Sequence, residues 1–138
     1  MTAAPYAKPL PRVTPDNAPF YDGLKAGELR LPCCADCGRF HAPPGPVCPF
    51  CFSDALDWTA TSGRGTVSSW VVVHKVWFPA FDEDIPYNVV QVELVEGPRL
   101  TANVVDVEAD ALTVGMTVEA VYDAVTSDFT LLRFRRAP

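Results

Sequence analysis

The chain has 138 residues, 49% of them apolar, which suits one domain of ordinary size or two small ones with a hydrophobic core. Its 11 basic and 17 acidic residues give a formal charge of −6, which disfavours nonspecific binding to a phosphate backbone but leaves a local basic patch open. Residues 1–12 lack the apolar segment of a secretion signal, and no apolar run approaches the roughly 18 residues of a membrane span. We therefore expect a cytoplasmic protein with reduced thiols.

Residues 1–28 are predicted to form an N-terminal arm and one short helix. The segment Thr14–Pro19 supplies capping and first-turn residues for a helix that runs to Lys25 and stops near Gly27. One face of this helix is apolar, and it packs either against the rest of the chain or against a partner. That face consists of Phe20, Tyr21 and Leu24.

Residues 29–60 carry two Cys-x-x-Cys pairs with ten residues between them. This spacing presents four thiolates to one tetrahedral ion, so we predict a zinc ribbon whose closed metal site is structural and not catalytic. The predicted ligands are Cys34, Cys37, Cys48 and Cys51.

The residues around the pairs support a ribbon. Gly38 gives the first pair the backbone freedom of a tight knuckle, whereas Phe52 stands at the matching place after the second pair. Leu29–Leu31 and Leu56–Trp58 are predicted as the short ribbon strands.

Other uses of the cysteines stay open: an iron site of the rubredoxin kind, a disulfide or a redox dithiol. A thioredoxin-type pair would begin a helix, and the prolines around both pairs disfavour helices there, so zinc is preferred. The two-residue gap before Cys37 favours Cys34 as the ligand, which leaves its neighbour Cys33 unpaired.

Residues 61–138 show an all-β pattern, with turn signals between runs of strand length. Apolar and polar residues alternate in the second, third and fourth runs, so one face of the sheet is buried and the other is wet. Five short antiparallel strands suit a small Greek-key barrel of the OB type, which makes the fold mainly β. The predicted strands are Gly65–His74, Tyr87–Leu94, Arg99–Val105, Met116–Asp123 and Thr130–Phe134.

The segment Lys75–Tyr87 joins two of these strands through a long loop rich in aromatic residues. Long loops of this kind are usually functional. Because Trp77, Phe78 and Phe81 cannot all be buried under a small barrel, at least two are predicted to form an exposed apolar patch. The alternative is a loop folded back onto its own core.

No catalytic constellation is evident in the sequence. His41 lies in the ribbon loop, where a surface position or a place beside the metal ligands is expected, and His74 ends a strand. Ser62–Gly65 lacks the following helix and the lysine of a phosphate-binding loop, and it predicts a turn into a strand.

In order and spacing, several motifs resemble a family of proteins with an N-terminal helix, a rubredoxin-like zinc ribbon and a C-terminal OB-fold that accompany acyl-CoA enzymes. The resemblance covers nearly the whole chain. The motifs are Pro19–Gly23, Gly27–Leu31, the two cysteine pairs with Pro43–Pro44 between them, Ser62–Val67, Pro86–Tyr87 and Leu112–Glu119.

The resemblance implies a non-catalytic accessory subunit of a thiolase-fold enzyme that makes or cleaves carbon–carbon bonds in acyl-CoA esters. Such enzymes include thiolases, acyltransferases and the retro-aldolases that shorten steroid side chains, and some relatives assemble with hot-dog-fold hydratases. The OB-fold domain would contact the partner and help to hold a shared CoA ester. Thiolase-like partners are commonly dimers and would recruit two copies of this chain.

On this basis, five aromatic residues are expected to contact the partner or the pantetheine arm: Phe20, Tyr21, Trp77, Phe78 and Phe81. The cations expected to bind CoA phosphates are Arg64, Lys75 and Arg99, with Arg39 as a further candidate on the ribbon. A solvated surface charge is the alternative for each of them. The group of Arg133, Arg135 and Arg136 could instead meet an acidic partner surface.

Two other functions stay open. An OB barrel with a zinc ribbon can bind single-stranded nucleic acid or tRNA, with Trp70, Trp77 and Phe78 stacking on bases, although the net charge of −6 disfavours it. A free-standing CoA enzyme is the other. Nucleic-acid binding would depend steeply on salt, an independent enzyme would turn over alone, and an accessory subunit would co-purify with its enzyme.

Overall fold

The chain folds mainly into β-strands, and the computed structural model describes residues 6–138. Helix α1 (Ala18–Lys25) precedes two ribbon strands, β1 (Arg30–Cys34) and β2 (Leu56–Ala60). The later strands are β3 (Arg64–Val73), β4 (Tyr87–Leu94), β5 (Arg99–Ala102), β6 (Val104–Val105), β7 (Thr117–Ala124) and β8 (Thr130–Arg136). Short 3₁₀ helices occupy Pro79–Asp84 and Ala109–Ala111. None of the helices in residues 6–138 has the length and apolarity needed to cross a membrane.

Helix α1 lies where the sequence predicts it. Pro19 stands in its first turn, and Gly27, at φ +76°, is the left-handed residue beyond its end. The Asn17 side chain does not cap the helix, because it accepts a hydrogen bond from the Thr14 amide at 2.7 Å. The helix buries Leu24 and packs against β1, β7 and β8.

The ribbon sheet pairs β1 with β2 in antiparallel orientation, from Arg30 opposite Ala60 to Cys34 opposite Leu56. Both strands are longer than predicted, and β1 ends on the first of the clustered cysteines. The Thr61 amide donates to the Leu29 carbonyl at 2.8 Å. The ribbon is therefore joined by a backbone hydrogen bond to the segment that enters the barrel.

The remaining strands close into a barrel. Strand β4 pairs antiparallel with β3 and β5, and β7 pairs antiparallel with β3 and β8. The last pairing, between β6 and β8, is parallel. Because β5 and β6 are consecutive parts of one extended segment, these pairings bring the two edges of the sheet together. The predicted OB-fold architecture is confirmed.

One predicted strand, Arg99–Val105, is wrong as a continuous element, because it is interrupted at Asn103. There the segment changes its partner from β4 to β8. The Asn88 side chain supplies the missing hydrogen bonds: it donates to the Val104 carbonyl and accepts from the Val104 amide, both at 2.8 Å. The Asn103 side chain in turn donates to the Asn88 carbonyl.

A single hydrophobic core joins the helix, the ribbon and the barrel. Its buried members are Leu24, Leu29, Leu31, Val67, Val90, Val92, Leu94, Val104, Leu112, Val118 and Phe134. Its members in β4 are the alternate residues Val90, Val92 and Leu94. The domain boundaries predicted after residues 28 and 60 stay predictions, and the first five residues of the predicted arm lie outside the described residues.

Candidate metal centre and exposed aromatic surface

The fold brings the four paired cysteines together. The Sγ atoms of Cys34 and Cys51 lie 3.5 Å apart, and those of Cys37 and Cys48 lie 3.6 Å apart. All four sulfurs lie within 4.8 Å of one another. A tetrahedral zinc ion with Zn–S bonds of about 2.3 Å places its sulfurs about 3.8 Å apart. The cluster therefore has the size of a four-sulfur zinc site.

Two similar backbone turns position the sulfurs. The Gly38 amide donates to the Cys34 carbonyl and the Phe52 amide to the Cys48 carbonyl, each at 2.8 Å. Both residues have a left-handed backbone conformation, with φ +76° at Gly38 and +64° at Phe52. The second turn thus adopts the conformation of the first, although a side chain makes it less favourable there.

The surroundings of the cluster shift the pKa values of two of its thiols in opposite directions. The backbone N–H of Cys37 donates to Cys34 Sγ and lowers the pKa of Cys34 to about 7. The backbone N–H of Ser53 lowers the pKa of Cys51, but the neighbouring Cys34 sulfur and burial outweigh it and raise that pKa to about 12. Four thiolates this close together require a cation to compensate their charge.

A zinc ion held by all four sulfurs would have no open position for water or substrate, so its role would be structural. Cys34 and Cys48 are buried, whereas Cys37 and Cys51 reach the surface. Cys33 lies outside the cluster, and its thiol donates to the Gly38 carbonyl at 3.6 Å. The structure thus selects Cys34 over Cys33 as the clustered residue.

The two histidines lie in different surroundings. His74 is exposed beyond β3. His41 is only 4% exposed, so the surface alternative for it is wrong, and its ring makes no hydrogen bond of good geometry within residues 6–138, although it has a weaker contact with the Gly45 backbone. Burial lowers the pKa of His41 by more than the Gly45 contact raises it, which favours the neutral ring. Its neighbours Phe40 and Ala42 pack against the core.

A cavity of about 570 Å³ lies between the ribbon and the turn that joins β4 to β5. The ribbon contributes Arg39, His41 and Phe50, and the turn contributes Glu96–Arg99. The Arg39 guanidinium lies over the Phe50 ring, 4.7 Å from its centroid. Sequence reasoning missed this cavity, because packing brings together two segments that are distant along the chain.

The loop after β3 exposes two large aromatic side chains, Trp77 (64% exposed) and Phe78 (56%). Phe81 is half-buried, with its ring centroid 6.0 Å from that of Tyr87. The Lys75 ammonium lies 4.2 Å from the centroid of the Trp77 ring. We call Lys75, Trp77 and Phe78 the aromatic loop surface.

The aromatic residues of α1 face inward. Phe20 and Tyr21 are half-buried and pack against the core, and the Tyr21 ring lies 6.2 Å from that of Phe129. Burial raises the pKa of Tyr21. Partner contact by these two residues stays a prediction.

The cations predicted to bind CoA lie at two ends of the barrel. Arg64 begins β3, 3.8 Å from the Glu119 carboxylate, and Arg99 begins β5 near that same end, 3.9 Å from Glu93. Lys75 lies two residues beyond the other end of β3. The structure therefore groups Arg64 with Arg99 and sets Lys75 apart.

Two of the three C-terminal arginines are engaged within the chain. Arg133 donates to Asp123 at 2.8 Å and to Asn103 at 2.7 Å, and Arg135 donates to Glu119 at 2.8 Å. Arg136 is exposed. Contact between this group and an acidic partner stays a prediction.

Comparison with protein families matches most of the chain. Residues 22–57 match the rubredoxin-like zinc ribbon domain of ChsH2, and residues 58–123 match the C-terminal OB-fold domain of ChsH2. The four-cysteine cluster lies inside the matched ribbon. The predicted zinc ribbon is confirmed, and its four clustered cysteines are placed to hold one zinc ion.

Three relatives are similar in sequence to most of this chain. A probable enoyl-CoA hydratase alpha subunit of Thermomonospora curvata is 38% identical over 130 residues, which make up 94% of this chain and 40% of that protein. A 3-oxo-4,17-pregnadiene-20-carboxyl-CoA hydratase alpha subunit of Mycobacterium tuberculosis is 36% identical over 86% of this chain and 37% of that protein. The chain spans about two fifths of both. A DUF35 domain-containing scaffold protein of Methanocaldococcus jannaschii is 34% identical over 69% of this chain and 67% of that protein.

Two solved structures have the same fold. A chain of the Ltp2-ChsH2(DUF35) aldolase superposes with a TM-score of 0.84 at 37% identity, covering 94% of this chain and 100% of that chain. A DUF35-family protein of Sulfolobus solfataricus superposes with a TM-score of 0.60 at 18% identity, covering 89% of this chain and 86% of that chain. At that identity, the second likeness shows the fold alone.

Proposed function

The chain belongs to the DUF35 family of ChsH2-type zinc-ribbon and OB-fold proteins, and from that premise we propose that it is a non-catalytic accessory subunit of a thiolase-fold enzyme. It binds that enzyme and helps to bind the acyl-CoA substrate. The observation that carries the proposal is the likeness to the whole of one chain of the Ltp2-ChsH2(DUF35) aldolase.

The aromatic loop surface supplies a physical reason to bind another protein. Trp77 and Phe78 are 64% and 56% exposed, although exposing large aromatic side chains to water is unfavourable. The 3₁₀ helix Pro79–Asp84 follows them directly, and the Lys75 ammonium covers part of the Trp77 ring. Aromatic residues flanked by a cation are typical centres of protein interfaces.

The titratable groups suit a binding role. His41 is buried, which favours its neutral ring, and His74 is exposed directly after β3. The clustered cysteines would all be occupied by zinc. The nucleophile and the base are therefore assigned to the partner, which this chain positions or completes.

We assign the shared CoA ester to the barrel cations Arg64, Lys75 and Arg99. Because Lys75 lies apart from the other two, we expect the ester to run along the barrel rather than to bind at one point. The reaction class is carbon–carbon bond cleavage or formation on acyl-CoA, with retro-aldol cleavage of bulky, steroid-type side chains as the leading case. The aldolase named for the matching structure supports that class.

A second partner class is supported by the relatives. The two hydratase alpha subunits match 94% and 86% of this chain, which therefore corresponds to about two fifths of each of them. We infer a hot-dog-fold acyl-CoA hydratase as the alternative partner. The two partners are distinguished by asking which of them co-purifies with the tagged chain.

The test is a binding titration of a candidate thiolase-fold enzyme with variants of the aromatic loop surface. We expect Trp77→Ser or Phe78→Ser to weaken binding by about 30-fold or more, the effect of losing an interface anchor. Thermal stability should hardly change, because both side chains are exposed. Phe52→Ser is the matched control, since Phe52 is 77% exposed but lies on the ribbon.

If both loop variants bind as well as the unmodified chain, the aromatic loop surface is not the interface. If the unmodified chain binds neither the thiolase-like enzyme nor the hydratase, the accessory role itself is contradicted.

A further inference from the structure

The second half of β3 lies at an open edge of the barrel. Strand β7 pairs with β3 only over Arg64–Thr66, and Val67 makes the last hydrogen bonds on that side, to the Met116 carbonyl and the Gly115 amide. From there, Ser69–Val73 pair with β4 alone. Within residues 6–138, no other backbone hydrogen bond reaches this stretch. We call Ser69–Val73 the open edge.

The open edge presents backbone groups that can bind another strand. In an antiparallel pair, residues that exchange both hydrogen bonds with the partner strand alternate with residues whose N–H and C=O point to the opposite side. About half of the open edge therefore directs donors and acceptors away from β4. Ser69 and Val71 are exposed, Val71 by 59%, so solvent reaches this side of the sheet. An added strand would satisfy these groups.

The composition of the open edge favours such pairing. Natural strand edges are protected by charged side chains, prolines or bulges. The open edge consists of a serine, a tryptophan and three valines, so it carries neither a charge nor a proline. The bulge in β3 lies before it, between Val67 and Ser69, and the pairing is regular from there to Val73. Valine-rich edges of this kind pair readily with other strands, so we expect a partner to cover this one.

The side chains beside the open edge indicate what an added strand carries. Directly paired residues of neighbouring strands share one face of the sheet and contact each other. Ser69 stands opposite Gln91, and Val71 stands opposite Val89. A strand that extends these rows would therefore place a polar residue next to Ser69 and an apolar residue next to Val71.

The open edge continues directly into the aromatic loop surface. Only His74 separates Val73 from Lys75, and Trp77 and Phe78 follow. A partner that pairs with the open edge would also cover the two exposed aromatic rings. The same partner is therefore assigned to both.

A second copy of this chain fits the open edge less well. Antiparallel pairing of two such edges about Val71 would place Trp77 of each copy opposite Gly65 of the other. At Gly65 the outer side of β3 is already occupied by β7. Self-pairing therefore leaves no room for the aromatic loop surface, whereas a segment of another protein can turn away before it reaches β7.

We propose that the open edge receives an extended segment of the thiolase-fold enzyme as an added β-strand. Backbone hydrogen bonds to Ser69–Val73 supply affinity, and the rows at Ser69 and Val71 select the segment. The segment is uncharged, free of proline and about five residues long, to match the edge. This inference rests on the proposed function and deepens it, because it names the backbone contact through which the enzyme binds.

The first test is hydrogen exchange of the full zinc-loaded chain, alone and in complex with a candidate thiolase-fold enzyme. We expect the outward amides of the open edge to exchange at least about tenfold more slowly in the complex, because they gain hydrogen-bond acceptors. Amides of Arg64–Thr66, which already lie between β4 and β7, should change little.

Substitutions of Val71 test the same contact by affinity. Val71→Lys puts a charge into an apolar row of the edge and should weaken enzyme binding by about tenfold or more. Val71→Thr keeps the β-branched shape and should stay within about threefold. Val95→Lys is the matched control and should bind normally, since Val95 is 75% exposed beside Arg64 at the other end of β3.

The outcomes are distinct. Unchanged exchange of the open edge, in a complex that Trp77→Ser still weakens, would overturn the added strand and leave the accessory role intact. A Val71→Lys variant that binds the enzyme like the unmodified chain would do the same. If the free chain forms dimers that Val71→Lys converts to monomers, the edge belongs to a second copy and the enzyme assignment is overturned. If the unmodified chain does not bind the thiolase-fold enzyme at all, that partner and this inference fail together.

Discussion

The ribbon and the barrel are ordered by different forces. Between residues 35 and 55, only His41 and Cys48 are buried, and four sulfurs close the segment around one point. The barrel instead buries a continuous set of Val, Leu and Phe side chains, with Phe134 and Val118 fully inaccessible. The comparison teaches that residues 35–55 of the ribbon depend on an ion for their structure, whereas the barrel depends on removing apolar surface from water.

Removal of the metal should unfold the ribbon and leave the barrel folded. We expect Cys48→Ala to lose zinc, whose binding contributes about 10–16 kcal/mol in zinc-finger peptides, and to leave residues 35–55 unprotected in hydrogen exchange. Strands β3, β4, β7 and β8 should keep their protection. Cys33→Ala, outside the cluster, is the matched control and should retain the metal.

If Cys48→Ala instead unfolds the barrel together with the ribbon, the two regions form one cooperative unit. Leu29 and Leu31, which the shared core contains, would then be the physical link.

Removing a large side chain from the barrel core should destabilise the barrel directly. Phe134 is 0% exposed in β8, and we expect Phe134→Ala to lower the free energy of unfolding by about 3–5 kcal/mol in urea titrations. Arg136→Ala, on the exposed part of the same strand, should stay within about 0.5 kcal/mol. A loss below about 1 kcal/mol would show that the barrel core does not provide the stability assigned to it.

Close backbone contact between β3 and β4 allows only glycine at one position. A Cβ atom at Gly65 would meet the Glu93 carbonyl and the Val92 side chain at distances that real side chains do not adopt. We expect Gly65→Ala to cost about 1–3 kcal/mol, because the opposing atom belongs to the sheet backbone and cannot turn away. Gly45→Ala is the control, since no atom lies within 4 Å of its added Cβ. Equal melting temperatures for the two variants would contradict this packing.

The smallest predicted effect lies in the second ribbon turn. Phe52 adopts φ +64° with a side chain that is 77% exposed, so Phe52→Gly should relieve strain while losing little contact. The expected gain is about 0.5–1 kcal/mol in the zinc-loaded protein, after the larger entropy loss of glycine on folding is taken into account. Gly38→Ala, at φ +76° in the first turn, should destabilise the zinc-loaded protein by a similar amount. Destabilisation by Phe52→Gly would contradict this account, because it would mean that the Phe52 ring makes stabilising contacts although it is largely exposed.

The parts of this fold that depend on local chemistry could be predicted from the sequence. The spacing of the cysteines predicts the metal cluster, and alternation predicts β4 with the bounds that the structure shows, Tyr87–Leu94. The break at Asn103 could not be predicted, because it depends on the side chain of Asn88, which belongs to another strand.

Less of the candidate site than of the fold could be predicted from the sequence. The exposure of Trp77 and Phe78 follows from their density in one loop, and the structure agrees. The internal pairing of Arg133 and Arg135 depends on the register of β7 with β8, and the cavity beside His41 depends on how the ribbon packs on the barrel. Such properties arise from contacts between distant segments, which a sequence pattern does not reveal.

The most direct test of the accessory role is to co-express the tagged chain with a candidate thiolase-fold enzyme, and to combine size exclusion with metal analysis and acyl-CoA cleavage assays. We predict a stable complex that carries about one zinc ion per copy of this chain, with cleavage activity that the enzyme lacks when expressed alone. A zinc-loaded monomer that elutes apart from a fully active enzyme would contradict the account.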